Sequence, residues 1–232
     1  MELIWDGLRE AFRILGTGDR DVWEITLRSL LISGAATVFA MVIGVGAGAA
    51  LAFRRFPGRQ LAVALVNTGM GLPPVVVGLV VAILLWRSGP AGGLNLIYTP
   101  AAMVIAQTVL AAPIVTAFTF AALSSLPPRL RPQLYSLGAS RWQMLWLVIQ
   151  EARLPLLAAL MAGFGTAISE VGASLMVGGN LAGETRVLTT TVLLDVQRGE
   201  FESAIALSII LLVFIFVVNL VLTGVQQRER AA

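Results

Sequence analysis

Long uncharged runs separated by short charged segments make up most of this chain. Each run is long enough for the roughly 20 residues that a membrane-spanning helix needs. The four that contain no charge cover 29–53, 60–86, 88–128 and 203–227. A further run, 154–186, is interrupted by Glu170 and Glu184. The third run begins with glycines and prolines, so its helix is expected from about Pro100 to Leu126. The pattern predicts five spanning helices.

The composition agrees with this pattern. Hydrophobic residues make up 57% of the 232 residues, and charged residues make up 12%. The apolar surface therefore exceeds what a soluble domain of this length buries, and lipid is the expected solvent. We predict an all-α, polytopic membrane protein. The first run is longer than the apolar region of a signal peptide and follows many charged residues, so we expect the start of the chain to be retained.

Three residue types that carry much of enzyme chemistry are absent. The chain has no cysteine and no histidine, and all 16 basic residues are arginine. The absent cysteine excludes disulfides and thiol nucleophiles, and the absent histidine removes the usual general base and metal ligand. Without lysine the chain cannot form the phosphate loop of a nucleotide-binding site. We expect no cofactor and no metal on this chain, so ATP, if used, binds to another chain.

The distribution of arginines predicts the orientation in the membrane. The link Phe53–Arg59 between the first two runs holds three arginines in seven residues, and we place it in the cytoplasm. With five spans, the amino terminus lies outside and the carboxyl terminus inside. Nine arginines then lie inside and seven outside, where they are mixed with acids. The basic balance reflects membrane orientation rather than binding to nucleic acid.

The amino-terminal segment is amphipathic. Its apolar residues recur at helical spacing against charged ones, at Leu8, Phe12 and Leu15. An interfacial helix that ends at Gly16–Asp19 is the favoured interpretation, and a solubilising lead-in is the alternative. We divide the chain into this segment, 1–24, a single transmembrane domain, 25–227, and a tail, 228–232.

The polar loop 127–153 carries the most specific pattern. Pro132 marks a helix start, so Gln133–Gln150 is expected to form a short helical segment of its own. Its apolar residues suit docking into a groove of another protein; they are Leu134, Leu137, Trp142, Leu145 and Trp146. Gly138 allows either a sharp turn or a close approach of two backbones. An ordinary amphipathic connector is the alternative interpretation.

This loop resembles the signature loop of ABC importer permeases. The match lies in Leu137–Trp142, which contains the signature glycine, and in Leu154–Leu157, which contains the closing Leu-Pro. Pro132–Leu134 stands where the family has Glu-Ala-Ala, and the spacing from Gly138 to Pro155 is about one helical turn longer than usual. The resemblance implies contact with an ATPase through Leu137, Gly138, Ala139, Ser140, Arg141 and Trp142.

Other segments narrow the resemblance to the molybdate, tungstate and sulfate branch of the family. They are Gly71–Leu79, Ala112–Val115 and Ser169–Ala173. Two more, Met176–Asn180 and Leu188–Thr191, are most similar to tungstate-type permeases. The resemblance implies a homodimer that works with two separate ATPase chains, which bind ATP-Mg, and with an external oxyanion-binding protein. Tungstate is the expected cargo and molybdate the alternative. ATP would drive the two copies between inward-open and outward-open states.

Polar and irregular positions within the apolar runs are candidates for the translocation pathway or its gate. We select Asn67, Thr68, Pro73, Pro74, Gln107, Glu170 and Gly172. Consecutive prolines free backbone carbonyls, which indicates either a pore lining or a kink sealed by neighbouring helices. Gln107, Thr108 and Asn219 either line a path or bridge helices, and bridging is favoured for Asn219.

Glu170 is expected to face the interior of the bundle, because a carboxylate at mid-membrane costs about 2.5–3.5 kcal/mol on insertion scales. It would repel an oxyanion, so we expect it to accept hydrogen bonds at a helix contact or gate. The donors considered are backbone amides or a hydroxyl such as Ser169 of the partner subunit.

Glycines and loop charges carry weaker hypotheses. Close helix packing is the favoured explanation for most of the glycines, and a glycine-lined anion path is the alternative; they are Gly44, Gly46, Gly48, Gly163, Gly165, Gly178 and Gly179. We expect Arg186 to be a solvated loop charge, and the alternative is a residue that attracts anions or contacts an acidic patch of the binding protein. Asp195, Glu200 and Glu202, with Arg198, are interpreted as a docking surface for the delivery protein, since no acid pair here has a hydrolytic context.

Two other classes of function are considered. An ion-coupled secondary anion carrier usually has internal repeats and several buried charges, and this chain has neither. A membrane-embedded enzyme or assembly factor would have almost no catalytic side chains available. We predict a transport subunit with no catalytic residues.

Overall fold

The computed structural model of the protein describes residues 2–127 and 129–231. Within this part of the chain the secondary structure is helical. The helices α1 to α11 run, in order, over Glu2–Thr17, Arg20–Phe53, Arg59–Met70, Pro74–Leu85, Pro100–Ser124, Leu130–Ser136, Arg141–Glu151, Arg153–Ile168, Gly172–Gly178, Leu188–Arg198 and Phe201–Ala231. A short 3-10 turn, Gly92–Leu94, lies between α4 and α5.

Three continuous helices, α2, α5 and α11, are long and apolar enough to cross a membrane. Two bent helix pairs raise the number of candidate spans to as many as five. The chain bends by 104° between α3 and α4 and by 72° between α7 and α8. The all-α membrane fold predicted from the apolar runs is therefore confirmed.

Two of the predicted runs are not single helices. The run 60–86 breaks between Met70 and Pro74, because Gly71 ends α3 and proline cannot donate the backbone hydrogen bond that would continue it. The run 154–186 also breaks, and α8 ends at Ile168 before α9 begins at Gly172. By length and composition, α8 reaches span length only together with α7, on its amino-terminal side, and the pair is bent by 72°.

Helix α5 lies at the centre of the bundle. In the most apolar stretch of α5, 56% of the residues are buried, whereas the corresponding value for α11 is 17%. Helix α11 therefore lies at the periphery and presents most of its apolar side chains outward. Helix α2 packs on α5 through small residues: a Cβ at Gly44 would lie 2.6 Å from Val115 Cγ1, and one at Gly48 would lie 2.7 Å from Thr119 Cβ. These two glycines therefore serve close helix packing.

The remaining glycines divide into two groups. A Cβ at Gly163 or at Gly178 would also meet a neighbouring side chain, at 2.9 Å and 2.8 Å respectively, so packing explains these positions too. Gly46 and Gly165 have no atom within 4 Å of an added Cβ in the described part of the chain. Gly179 has a φ of +69° and ends α9. Packing alone therefore does not explain the whole set.

Helix α9 packs into the core against α4 and α5. Its Ala173 and Val177 are buried against α4 and α5. A Cβ at Gly78 of α4 would lie 2.6 Å from the Cα of Ala173, so the two backbones approach closely.

Helix α1 ends at Thr17, within the Gly16–Asp19 segment expected to end it. Its inner face is formed by Ala11 and Ile14, which pack against Leu207 and Ile210 of α11. Phe12 is 70% exposed, so the predicted apolar stripe is not the face that packs. The side chain of Leu15 lies outside the described residues. At the opposite end of the chain, α11 extends through most of the predicted tail, whose residue 232 also lies outside them.

Candidate functional site

The polar loop folds as two short helices, not as the single segment predicted for Gln133–Gln150. Helix α6 ends at Ser136 and α7 begins at Arg141. Between them Gly138 has a φ of +83°, and the Gly138 N–H donates to the Tyr135 carbonyl at 3.0 Å. A side chain at this φ would be strained, which is the physical reason for glycine here. Of the two uses considered for Gly138, the structure shows the sharp turn.

Helix α7 begins with a capping box. The Gln143 backbone N–H donates to Ser140 Oγ at 3.3 Å, and the Ser140 N–H donates to Gln143 Oε1 at 2.9 Å. Gln143 therefore serves local structure.

The outer surface of this turn is strongly apolar. Leu137 is 83% exposed and Trp142 is 82% exposed. Trp146 follows one turn along α7 and is 63% exposed. Such side chains gain most by burial in a partner, since an aromatic residue of this size buries about 150–250 Å². The turn and α7 thus expose three large apolar side chains, Leu137, Trp142 and Trp146, which together are called the apolar patch.

The inner face of α7 is fixed to the bundle. Met144, Val148 and Ala152 are buried and pack in one cluster with Ala49 of α2, Leu123 of α5 and Leu156 of α8. Pro155 lies in the first turn of α8, where its missing N–H removes no intrahelical bond. Helix α7 is therefore packed against three helices of the bundle, α2, α5 and α8.

The two backbone breaks of the bundle lie side by side. A Cβ at Gly172, just after the α8–α9 break, would lie 2.8 Å from Val75 Cγ2, just after the α3–α4 break. The predicted candidates Pro73, Pro74, Glu170 and Gly172 are thus brought together. Irregular backbone at membrane depth is tolerated only where protein buries it or where it lines a water-filled cavity.

Glu170 is buried, with 6% of its surface exposed. The backbone N–H of Ala173 donates to its Oε1 at 2.7 Å. The Glu170 carbonyl accepts from Thr189 Oγ1 at 3.1 Å. The carboxylate therefore caps the amino terminus of α9, as expected for an acceptor of backbone amides. Ser169 instead donates to the Gly165 carbonyl within its own helix, at 2.7 Å.

Gln107 is buried in the contact between α5 and α9. Its Nε2 donates to Ser174 Oγ at 3.2 Å, whereas its Oε1 is buried with no hydrogen-bond partner among the described residues. Thr108 donates to the Ala36 carbonyl of α2 at 3.3 Å, so both residues bridge helices. Ser174 was missed by the sequence analysis, although a lone hydroxyl in an apolar run is a signal for such bridging.

Asn67 and Thr68 lie on the exposed side of α3. Thr68 donates to the Ala64 carbonyl one turn earlier, at 2.9 Å. Asn219 likewise donates to Ile215 of its own helix, at 3.0 Å, so the bridging interpretation favoured for Asn219 is wrong for the described contacts.

The loop that follows α9 is bound into the structure. Arg28 Nη2 donates to the Gly183 carbonyl at 2.7 Å and its Nη1 donates to the Arg186 carbonyl at 3.1 Å. Arg186 is partly buried, and its Nη2 lies 3.5 Å from the Asn180 carbonyl. The expectation that Arg186 is a solvated charge is therefore wrong, because the loop folds over its guanidinium.

The predicted acidic docking surface also needs correction. Asp195 is buried and accepts a hydrogen bond from Ser203 Oγ at 2.7 Å, which links α10 to α11. Glu200 and Glu202 remain exposed beside it. Among the residues that the structure describes, no group of three or more His, Cys, Asp or Glu side chains could hold a metal ion.

The three to five candidate spans define a polytopic membrane protein. The chain belongs to the family described as the binding-protein-dependent transport system inner membrane component, whose sequence profile matches residues 40–231. It is therefore the permease subunit of an ABC importer, a transport protein and not an enzyme.

Two curated relatives make the similarity more specific. The chain is 36% identical to the tungstate uptake system permease protein TupB of Peptoclostridium acidaminophilum, over 98% of this chain and 100% of the relative. It is 40% identical to a probable anion ABC transporter permease protein of Haloferax volcanii, over 89% and 90% of the two chains. Its fold matches a bacterial alginate ABC transporter chain with a TM-score of 0.77 at 20% identity, covering 96% and 87% of the two chains.

Proposed function

We propose that this permease imports a tetrahedral oxyanion, most specifically tungstate, as a homodimer that works with two separate ATPase chains and an external binding protein. The structural observation that carries the ATPase contact is the exposure of Leu137 and Trp142 on a turn whose other face is packed into the bundle. The substrate rests on the similarity to the TupB permease over nearly the whole chain. Molybdate has the same shape and charge and is the alternative cargo.

The patch of Leu137, Trp142 and Trp146 is the surface that each ATPase would grip. Contacts of this kind concentrate binding energy in a few aromatic anchors, each worth about 2 kcal/mol or more. Closure of the ATPases on ATP-Mg would move α7, and the buried contacts of Met144 and Val148 would pass this movement to α2, α5 and α8. The energy source is thereby assigned to the partner chains, because this chain has no phosphate loop.

The end of the molecule that carries the patch is assigned to the cytoplasm, and the amino terminus to the outside. The support is the positive-inside rule, because the link Phe53–Arg59 and the segment with Arg129, Arg131 and Arg141 contain no acid. The side chains of Arg228 and Arg230, which the same argument places inside, lie outside the described residues.

The pathway is assigned to the side of the bundle where α3 and α4 are exposed. An exposed Asn67 amide would be costly against lipid, so a second copy of the chain or a water-filled path is expected to cover this surface. The adjacent breaks at Pro73 and Glu170 would allow the half-helices to move as a gate. Glu170 would act through the cap of α9, not by binding the cargo, since its charge repels a dianion.

The test is a reconstitution of the permease with its candidate ATPase in lipid vesicles, with a tungstate-, molybdate- or sulfate-loaded binding protein outside. We expect ATP hydrolysis to rise with the tungstate-loaded protein, and the rise to disappear in Trp142→Ala and Gly138→Trp. Leu212→Ala, which removes an exposed side chain of α11, is the matched control and should retain the rise.

Three results would contradict parts of the proposal. Equal stimulation by molybdate or sulfate would reject the tungstate assignment but retain the ABC mechanism. Retained stimulation in Trp142→Ala would reject the assigned contact. Uptake driven by an ion gradient in vesicles that lack any ATPase would instead support the secondary anion carrier.

A further inference from the structure

A cleft of about 490 Å³ opens between the α2–α3 link, the end of α5 and the helices α6 and α7. Its charged lining side chains are all arginines, at Arg54, Arg55, Arg59 and Arg131. They come from two separate segments, the α2–α3 link with the start of α3, and α6. The cleft is distinct from the apolar patch, which lies on the outer surface of the α6–α7 turn.

The positive charge of this cleft is not neutralised by the chain itself. No aspartate or glutamate occurs between Glu24 and Glu151, a stretch that includes all four arginines. Of the described residues that line the cleft none is acidic, and within the described part of the chain none of the four arginines forms an ion pair. Several like charges around one cleft attract anions and destabilise one another when it is empty.

Two of the four guanidinium groups are held in place. Arg59 Nε donates to the Leu51 carbonyl at 2.7 Å, and the guanidinium lies 5.2 Å from the centre of the Phe120 ring. The Arg131 guanidinium lies 4.5 Å from the Phe53 ring centre, and its Nε is buried with no partner among the described residues. Stacking on a ring fixes the plane of a guanidinium while its N–H groups stay available.

We propose that this arginine cleft binds a phosphate-like oxyanion group. Arginine is suited to this chemistry, because its planar fork donates two parallel hydrogen bonds to two oxygens of one anion. The cleft lies where α2 and α5 end, at Phe53 and Ser124, which is the depth of lipid headgroups for helices that span a bilayer. The group therefore comes either from the headgroup of an anionic lipid or from a free oxyanion in solution.

Occupancy of the cleft would also affect the position of α6. An anion shared by Arg131 and by Arg54 or Arg55 would link α6 to the α2–α3 link through charge-assisted hydrogen bonds. The bound state would therefore be more stable than the empty one, by an amount that rises with ligand concentration. This gives a readout that is independent of transport and of any ATPase.

The experiment measures binding to the purified permease in neutral detergent. One arm adds phosphatidylglycerol or, for comparison, phosphatidylcholine, and follows lipid retention by native mass spectrometry and the melting temperature by circular dichroism. The second arm adds phosphate or tungstate without lipid, with sodium chloride balancing the ionic strength. The variants are Arg55→Gln and Arg131→Gln, and the control is Arg87→Gln, an exposed arginine at the other end of the bundle.

We expect binding that weakens about tenfold in each cleft variant, the effect of losing one charge-assisted hydrogen bond, and that is unchanged in Arg87→Gln. Selective retention of phosphatidylglycerol identifies a lipid headgroup as the ligand, and stabilisation by phosphate or tungstate identifies a free anion. The proposal is overturned if neither arm shows binding to the unaltered protein, or if Arg87→Gln weakens binding as much as the cleft variants do.

Discussion

The backbone N–H of Ala173 donates to Glu170 Oε1 at 2.7 Å, so a buried carboxylate closes the amino terminus of α9 at the point where the chain resumes after a break. The same break lies against Val75, the second residue of α4. Two interrupted helices therefore meet around one capped helix end.

Replacement of Glu170 tests the cap. Glu170→Gln retains an oxygen that accepts from Ala173 but loses the charge that favours a helix amino terminus, whereas Glu170→Ala loses the acceptor as well. We expect the free energy of unfolding to be highest for the wild type, lower for Glu170→Gln and lowest for Glu170→Ala. The alanine variant should lie about 0.5–2 kcal/mol below the wild type, the usual cost of losing a cap. Thermal unfolding followed by circular dichroism measures this order. Equal stability of the alanine variant would show that the cap is not structural.

The contact between Gln107 and Ser174 predicts that a second substitution restores stability lost through the first. Ser174→Ala removes the acceptor of Gln107 Nε2, and because Oε1 already lacks a described partner, the whole amide would be buried unsatisfied, at a cost of about 1–3 kcal/mol. Adding Gln107→Leu removes that polar group. We therefore expect the double variant to be more stable than Ser174→Ala alone in denaturant unfolding. A double variant less stable than either single one would contradict the buried geometry.

The α2–α5 contact provides a matched pair of glycines. A Cβ at Gly44 would lie 2.6 Å from Val115 Cγ1, whereas one at Gly46 meets no atom within 4 Å. Gly44→Val should therefore destabilise the bundle by about 1–3 kcal/mol, the usual cost of overpacking. Gly46→Val should leave the monomer almost unchanged. Melting temperatures of both variants in detergent measure the difference, and similar losses at both positions would rule out the α2–α5 contact as the cause.

The Glu10–Arg13 pair on α1 predicts a pH dependence. Arg13 Nε donates to Glu10 Oε2 at 2.7 Å, and this hydrogen bond lowers the pKa of Glu10 below its ordinary value. A lowered folded-state pKa adds stability that is present above the unfolded-state pKa and is lost as the pH falls through the folded value. We expect the protection of α1 amides from hydrogen exchange to fall on acidification. The Glu10→Gln variant should lose this pH dependence, and an unchanged dependence would assign it to another group.

The sequence predicted the apolar runs, the family and the exposed Trp142, because each depends on local composition or on a short motif. The consecutive prolines Pro73 and Pro74 raised a kink as one interpretation of the run 60–86, but the break in the run 154–186 was not predicted. Hydropathy measures solvent preference and is insensitive to whether a helix continues. Gly71 and Pro73 were a visible signal for the first break. No comparable signal marked the second, where the buried carboxylate of Glu170 stabilises the new helix end only after folding.

The burial and the partners of polar side chains were the features of the structure that the sequence predicted least well. Asp195 and Arg186 were assigned to the surface because charges in loops usually are solvated. Instead, Asp195 is buried beside Ser203, and Arg186 is partly buried beside Asn180. Their partners lie close in sequence, but only the turn geometry brings them into contact. In the same way, Gln107 and Ser174 are far apart in the chain, and their contact depends on how α9 packs on α5.

The packing of α1 on α11 has a consequence for biosynthesis. Ala11 and Ile14 leave the ribosome before their partners Leu207 and Ile210, which belong to α11. The surface of α1 must therefore remain without its native neighbour while almost the entire chain is synthesised and inserted. The face of α1 formed by Ala11 and Ile14 is therefore covered by α11 only after the helices α2 to α10 have been synthesised.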